Sequence, residues 1–146
     1  MTYTEHVDIA LPIDRVIELF DNPDNLVHWQ PGLQSVEHLS GEPGQPGAKS
    51  LLRYKFGKRE FEMVETVHTR NLPQEFTGSY EIGGMYNEVR ISFAALDGNT
   101  TRLTSDNTFR LQGWRMKLMA ALMPGSFRKQ TRKYLEKFRE FAESQG

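Results

Sequence analysis

Few side chains in this 146-residue chain stand where they could move a proton. Glu5 shares a face with Tyr3, Val7 and Ile9 in a segment that alternates apolar and polar residues, and Glu65 shares one with Phe61, Met63 and Val67. A carboxyl group on the inner face of a strand either finds a partner or has its pKa raised by burial, which makes both residues candidate general acids or bases. The competing reading places each near a strand end, in reach of water. Ser50, Ser105, Asn107 and the phenols of Tyr54, Tyr80 and Tyr134 fall on the same inward faces and would give a bound molecule a few hydrogen bonds.

Other chemistries find no foothold. The chain has no cysteine, which removes disulfides, thiolate nucleophiles and thiolate metal sites. Its four histidines, His6, His28, His38 and His68, are scattered without the spacing that sets two ligands on one face, so no metal is expected; a local hydrogen bond is the expectation for His28. The segment from Gly44 to Ser50 imitates a phosphate-binding loop, yet the positions that require glycine hold Pro43 and Ala48, and a strand follows instead of a helix. No strained serine elbow is present either. No cofactor and no nucleic-acid partner are expected.

The elements that must position these groups are legible from their periods. Residues 3–11 read as a half-buried strand, and Pro12 opens a helix through Ile13, Val16, Ile17 and Phe20. A second short helix runs from about Pro23 to Trp29, and period two returns over 33–39, 50–56, 61–67, 76–82, 86–96 and 100–111. Gly83-Gly84 and Asp97-Gly98-Asn99 are the turns late in this meander. A short apolar segment over 113–123 ends at the breaker Pro124-Gly125, and Ser126 is placed as the cap of a long final helix. Phe127, Thr131, Tyr134, Leu135, Phe138, Phe141 and Ala142 form one stripe on that helix, with charged residues opposite.

One strand, two helices, a six-strand meander and a long helix describe a curved sheet gripping a helix, with a hollow between them. Tyr54, Phe56, Phe61, Phe76, Tyr80, Phe93 and Phe109 can share the concave face, while Phe127, Tyr134, Phe138 and Phe141 look back from the helix. Aromatic residues dominate cores in any case, so packing alone accounts for much of this set. Small-molecule sites, however, are apolar clefts with a few polar groups, and this composition fits one. An enclosed apolar cavity is therefore expected.

Charge is uneven despite a net of −1: residues 1–106 hold 16 acids against 9 bases, whereas 107–135 hold Arg110, Arg115, Lys117, Arg128, Lys129, Arg132 and Lys133 and no acid. A solvated helix face is the simplest account, and contact with an anionic membrane surface is the other. Trp114, Met116, Met119 and Met123 make 113–123 a candidate lid over the pocket. The amino terminus lacks the basic stretch of a signal peptide and no apolar run approaches the ~20 residues of a membrane span, so a cytoplasmic location is expected.

The order of elements, the Trp29-Gln30-Pro31-Gly32 exit from the second helix and the Gly98-Asn99-Thr100-Thr101-Arg102-Leu103 start of the last strand carry a resemblance. Over its whole length the chain resembles the START-like, birch-pollen-allergen-like helix-grip superfamily (SRPBCC), nearest its polyketide cyclase/dehydrase and lipid-transport branch. The resemblance implies an α+β fold in one domain spanning 1–146: seven antiparallel strands curved around the last helix, with two short helices between strands one and two. It implies a cavity holding a lipid, polyketide or similar hydrophobic small molecule. Carried onto this chain, the lining would be Trp29, Tyr54, Phe56, Phe61, Tyr80, Phe93, Asn107, Phe109, Phe127, Tyr134 and Phe138. Binding or carriage of such a molecule is the expected function; a cyclase-type enzyme working in the same cavity and a protein-interaction module are the alternatives.

Overall fold

A computed structural model describes residues 1–123 and 125–146. Seven strands, β1 (Thr2–Ile9), β2 (Leu33–Ser40), β3 (Lys49–Phe56), β4 (Arg59–Asn71), β5 (Glu75–Ile82), β6 (Met85–Asp97) and β7 (Thr100–Leu111), form one antiparallel sheet in the order β1-β7-β6-β5-β4-β3-β2. Helices α1 (Ile13–Phe20) and α2 (Leu26–Trp29) follow β1, and α3 (Trp114–Leu122) and α4 (Ser126–Gln145) follow β7. This is the helix-grip architecture: a sheet whose inner face closes on α4.

Strict alternation builds the sheet. Along β1 and β7 every second residue is buried, because Tyr3, Glu5, Val7 and Ile9 face α4 together with Thr101, Leu103, Ser105, Asn107 and Phe109. The hairpin registers then carry each inward position across to its neighbour. One row runs Phe109–Asn87–Tyr80–Glu65–Ser50 through four consecutive strand pairs. Another runs Val7–Leu103–Phe93.

The last helix is held at both ends. The Tyr3 hydroxyl donates to the Phe127 carbonyl at 2.8 Å and lies 2.6 Å from Thr131 Oγ1, and at the far end Ala10 N–H donates to Glu143 at 2.9 Å. Between these anchors the stripe buries Leu135, Phe138 and Ala142 against Val7, Ile9, Val16, Leu19, Phe93 and Leu103. Burial of this apolar surface is the principal stabilising term.

Four local expectations need correction. Pro12 sits at the N-cap of α1 in extended conformation instead of in its first turn. The second helix is divided into a 3-10 turn, Pro23–Asn25, capped by the Asn22 side chain at 3.0 Å from Asp24 N, and one α-turn, Leu26–Trp29. Ser126 is the first helical residue of α4; the cap position belongs to Gly125, whose φ of 82° lies in the left-handed region that favours glycine. Of the expected break at Pro124-Gly125, Pro124 lies outside the described residues. Finally, His28 stacks on Phe141, centroids 5.2 Å apart, where a local hydrogen bond was expected.

Candidate functional site

The chemistry-bearing groups collect at one end of the concave face. Glu65, Tyr80 and Asn87 stand side by side in a single cross-strand row, and each is half-buried although the row lies in the middle of the sheet. All three lie on the inner face of the sheet, in register with the buried Phe109. Tyr54, on the same face of β3, donates to Gln30 Oε1 at 2.5 Å, which ties the sheet to the exit from α2.

Electrostatics bind these groups into one cluster. Burial pushes the Glu65 carboxyl above its ordinary value, with a hydrogen bond from the Tyr80 hydroxyl pulling partly the other way. The Tyr80 phenol is driven far up by burial and by the negative potential of Glu65. Burial does the same to Tyr54, reinforced by Tyr134 and Glu65, and raises Tyr134, which a bond to Gln130 offsets in part. The three phenols stay protonated, and Glu65 keeps its proton to higher pH than an exposed glutamate. A carboxyl in that state both donates and accepts.

Two polar atoms are buried without a hydrogen-bond partner among the described residues: Asn87 Oδ1 and Trp29 Nε1. Leaving a buried donor or acceptor unpaired costs about 1–3 kcal/mol, so such atoms in a folded protein call for an explanation. Asn87 stands directly opposite both Tyr80 and Phe109. It is the residue that sequence reasoning missed, although the Gly83-Gly84 turn sets the register that pairs position 80 with 87. Gln30 was missed in the same way, being read only as part of a turn.

The other expected site residues divide by location. Tyr54, Phe56 and Phe61 stack in a line, with 5.1 Å between the rings of Tyr54 and Phe61 and 5.8 Å between those of Phe56 and Phe61. Phe56 is 39% exposed at the end of β3, where its ring lies so close to Gly32 that a Cβ there would come within 2.6 Å. Phe138 and Phe93 belong to the packed core, with Trp29 stacked edge-on against Phe138 at 5.2 Å. Phe109 and Phe127 fill the space between β7 and the start of α4, 4.5 Å apart. Asn107 is fully enclosed, its amide donating to Ser105 Oγ at 2.8 Å.

Glu5 differs from Glu65 in kind. It is 8% exposed and paired with Arg132 at 3.0 Å and Arg128 at 3.4 Å, both from α4. It finds partners where Glu65, among the described residues, finds none of opposite charge, and its ion pair fastens β1 to the helix. The basic face of α4 is accordingly not all solvated charge: two of its arginines serve Glu5.

Two recesses mark the surface, both open to solvent. One, about 500 Å³, lies outside the grip between α2 and α4 and is lined by Asn25, His28, Lys137, Glu140, Phe141, Ser144 and Gln145. The second, about 560 Å³, is lined by Gln34, Arg53, Tyr54, Lys55, Glu60, Phe61 and Glu62, so it reaches the outermost phenol of the polar cluster. Neither recess is an enclosed space between the sheet and α4. Among the described residues no three metal-ligating side chains converge.

A sheet closed on its last helix, with a polar row inside an apolar grip, defines a class of small-molecule-binding folds. The chain belongs to the family described as polyketide cyclase / dehydrase and lipid transport, which matches residues 1–142. Solved structures share the fold at low identity. TTHA0849 from Thermus thermophilus superposes with a TM-score of 0.79 at 16% identity, covering 100% of this chain and 99% of that one. The Zhui aromatase/cyclase from Streptomyces sp. R1128 gives 0.77 at 15%, covering 98% and 93%. Ara h 8.0201 gives 0.77 at 12%, covering 99% and 98%. No curated protein matches the chain in sequence.

Proposed function

We propose that residues 1–146 act as one ligand-binding domain that holds a hydrophobic small molecule between the sheet and α4, with the molecule's polar end against Glu65, Tyr80 and Asn87. The observation that carries this reading is the unpartnered, buried Asn87 Oδ1 beside the half-buried Glu65–Tyr80 pair. A buried acceptor left unsatisfied in an apolar grip is destabilising unless something binds there. The stacked rings of Tyr54, Phe61 and Phe56, on the same face as Glu65, supply apolar contact beside the polar row.

The chemistry also selects. No row member carries a positive charge that would pair with an anionic head, whereas a neutral hydroxyl could donate to Asn87 Oδ1. The ligand in this reading is a mainly apolar molecule bearing a neutral hydroxyl group. The aromatase/cyclase and other relatives share the fold, and their activities carry over only as possibilities of the same cleft.

Native mass spectrometry of the freshly purified protein tests the proposal, followed by identification of any released molecule. A stoichiometric adduct of a neutral, hydroxylated apolar compound is expected. Protein that emerges bare and binds neither 2-naphthol nor a longer hydroxylated hydrocarbon would overturn it.

A second reading has one specific observation behind it. A glutamic acid whose pKa is raised by burial and which accepts a hydrogen bond from a phenol is an arrangement suited to a general acid or base. Should a substrate be turned over, Glu65→Gln would abolish turnover while binding persists, and unchanged turnover in that variant would eliminate the enzyme reading at this residue.

A further inference from the structure

The largest apolar side chains left in solvent cluster on one short helix. In α3 no residue is buried; Leu122 is 72% exposed, Trp114 70%, Leu118 50% and Met119 44%, with Met123 just beyond at 56%. Trp114, Leu118 and Leu122 recur every four residues and so share one face of the helix, and exposed apolar surface of this kind marks an interaction site. The helix is tethered at its base, where Gln112 N donates to the Gly84 carbonyl at 2.7 Å and Met116 rests over Gly84. It therefore projects from the β5–β6 turn, beyond the row Met85–Leu111 and at the same end of the grip as the polar cluster.

Charge identifies the occupant. Arg110, Arg115, Lys117, Lys129 and Lys133 make no ion pair among the described residues, whereas Arg128 and Arg132 are engaged by Glu5. Arg115 lies over the Trp114 ring, 5.4 Å from its centroid, so a cation and the most exposed aromatic point out together. A two-fold pairing of two copies through this face would set these cations against one another, which argues against self-association. A nine-residue helix cannot span a bilayer. With tryptophan, leucine and methionine exposed beside unpaired arginine and lysine, it suits the interface of an anionic one.

We propose that α3 docks this protein on anionic phospholipid bilayers, inserting Trp114, Leu118 and Leu122 at the headgroup level while Arg115, Lys117 and the start of α4 contact lipid phosphates. Docking in this orientation turns the polar-row end of the grip toward the bilayer, the source of apolar molecules. That supply route rests on the function proposed above; the docking itself does not.

The test is cosedimentation of the full chain with phosphatidylcholine vesicles, with and without phosphatidylserine, while tryptophan emission is recorded. Binding is expected only with phosphatidylserine, with a blue shift that Trp114→Phe removes, and it should weaken as salt rises. Arg115→Gln with Lys117→Gln should reduce affinity roughly 30-fold, at about 1 kcal/mol for each basic residue near the surface. Leu118→Ser with Leu122→Ser should abolish insertion, with circular dichroism verifying that the exposed positions leave the fold intact. Equal binding to neutral vesicles, no binding to either, or affinity indifferent to the Gln pair would overturn the proposal, as would lipid-free dimerisation that depends on Leu118 and Leu122. Vesicle binding by a protein that carries no apolar molecule would leave the docking standing and remove the proposed cargo.

Discussion

Around Phe138 the inner face of the sheet is filled: Ile9, Val16, Ala142 and Phe138 are each at most 1% exposed, and α1, α2 and α4 all contribute to the seal. A few rows along the same face, Glu65, Tyr80 and Asn87 retain open surface, and a buried amide oxygen finds no donor. The strands, the helix and the period are common to both regions. What differs is what covers them: the late half of α4 with two helices against it at one end, and only its first turns at the other. One element order thus yields a region that is sealed and a region that keeps half-buried polar groups.

The comparison is broken most severely at Phe138. Phe138→Ala should destabilise the protein by about 3–5 kcal/mol in urea denaturation, since both transfer energy and packing are lost. Tyr80→Phe, in the polar row, should cost only about 1 kcal/mol because it removes one hydrogen bond, to Glu65, and leaves the ring in place. Equal losses for the two would mean that the regions are not distinct.

Tyr3→Phe comes next. It removes the hydroxyl that bonds the Phe127 carbonyl and Thr131, and a loss of about 1–2 kcal/mol is expected, read as a lower urea midpoint. A change near zero would show that the start of α4 is held by Phe109 and Phe127 alone.

Glu65 sharpens the contrast through pH. Its folded pKa is raised by burial, so its favourable contribution is complete below the unfolded value near 4.5 and is lost as pH rises through the folded pKa. A folded pKa one pH unit above the unfolded one is worth about 1.4 kcal/mol. Urea midpoints measured from acid to neutral pH should decline in the wild type over that window, and Glu65→Gln should remove this part of the slope. A wild type and variant with parallel profiles would place Glu65 in water. The smallest effect belongs to the exposed Arg102–Asp8 pair, 2.8 Å apart, where Asp8→Asn should give no resolvable change at neutral pH.

Much of this architecture was legible in the residues. Seven runs of period two and one long stripe yielded the sheet and its grip, because alternation is forced wherever a sheet has one covered face. The register was partly legible too, as the Gly83-Gly84 turn shows for Tyr80 and Asn87. What stayed hidden depends on contacts distant in sequence. Nothing local says that Glu5 meets Arg128 and Arg132, 127 residues from the latter, while Glu65, among the described residues, meets no cation. Nor does aromatic content separate Phe93 and Phe138, which pack, from Tyr80, which joins the half-buried polar row. The exposure of α3 was likewise set by the absence of an opposing element, which an apolar run alone does not reveal.

The central claim, that the polar row is the ligand-binding end of the grip, is met most directly by amide chemical-shift mapping during a titration with 2-naphthol, a neutral hydroxylated aromatic. Saturable shifts should concentrate at Tyr54, Glu65, Tyr80, Asn87 and Tyr134, leave Ile9 and Ala142 unmoved, and weaken markedly in Tyr80→Phe. Shifts confined to α3 or to the recess beside His28, or no saturable shift at all, would contradict it.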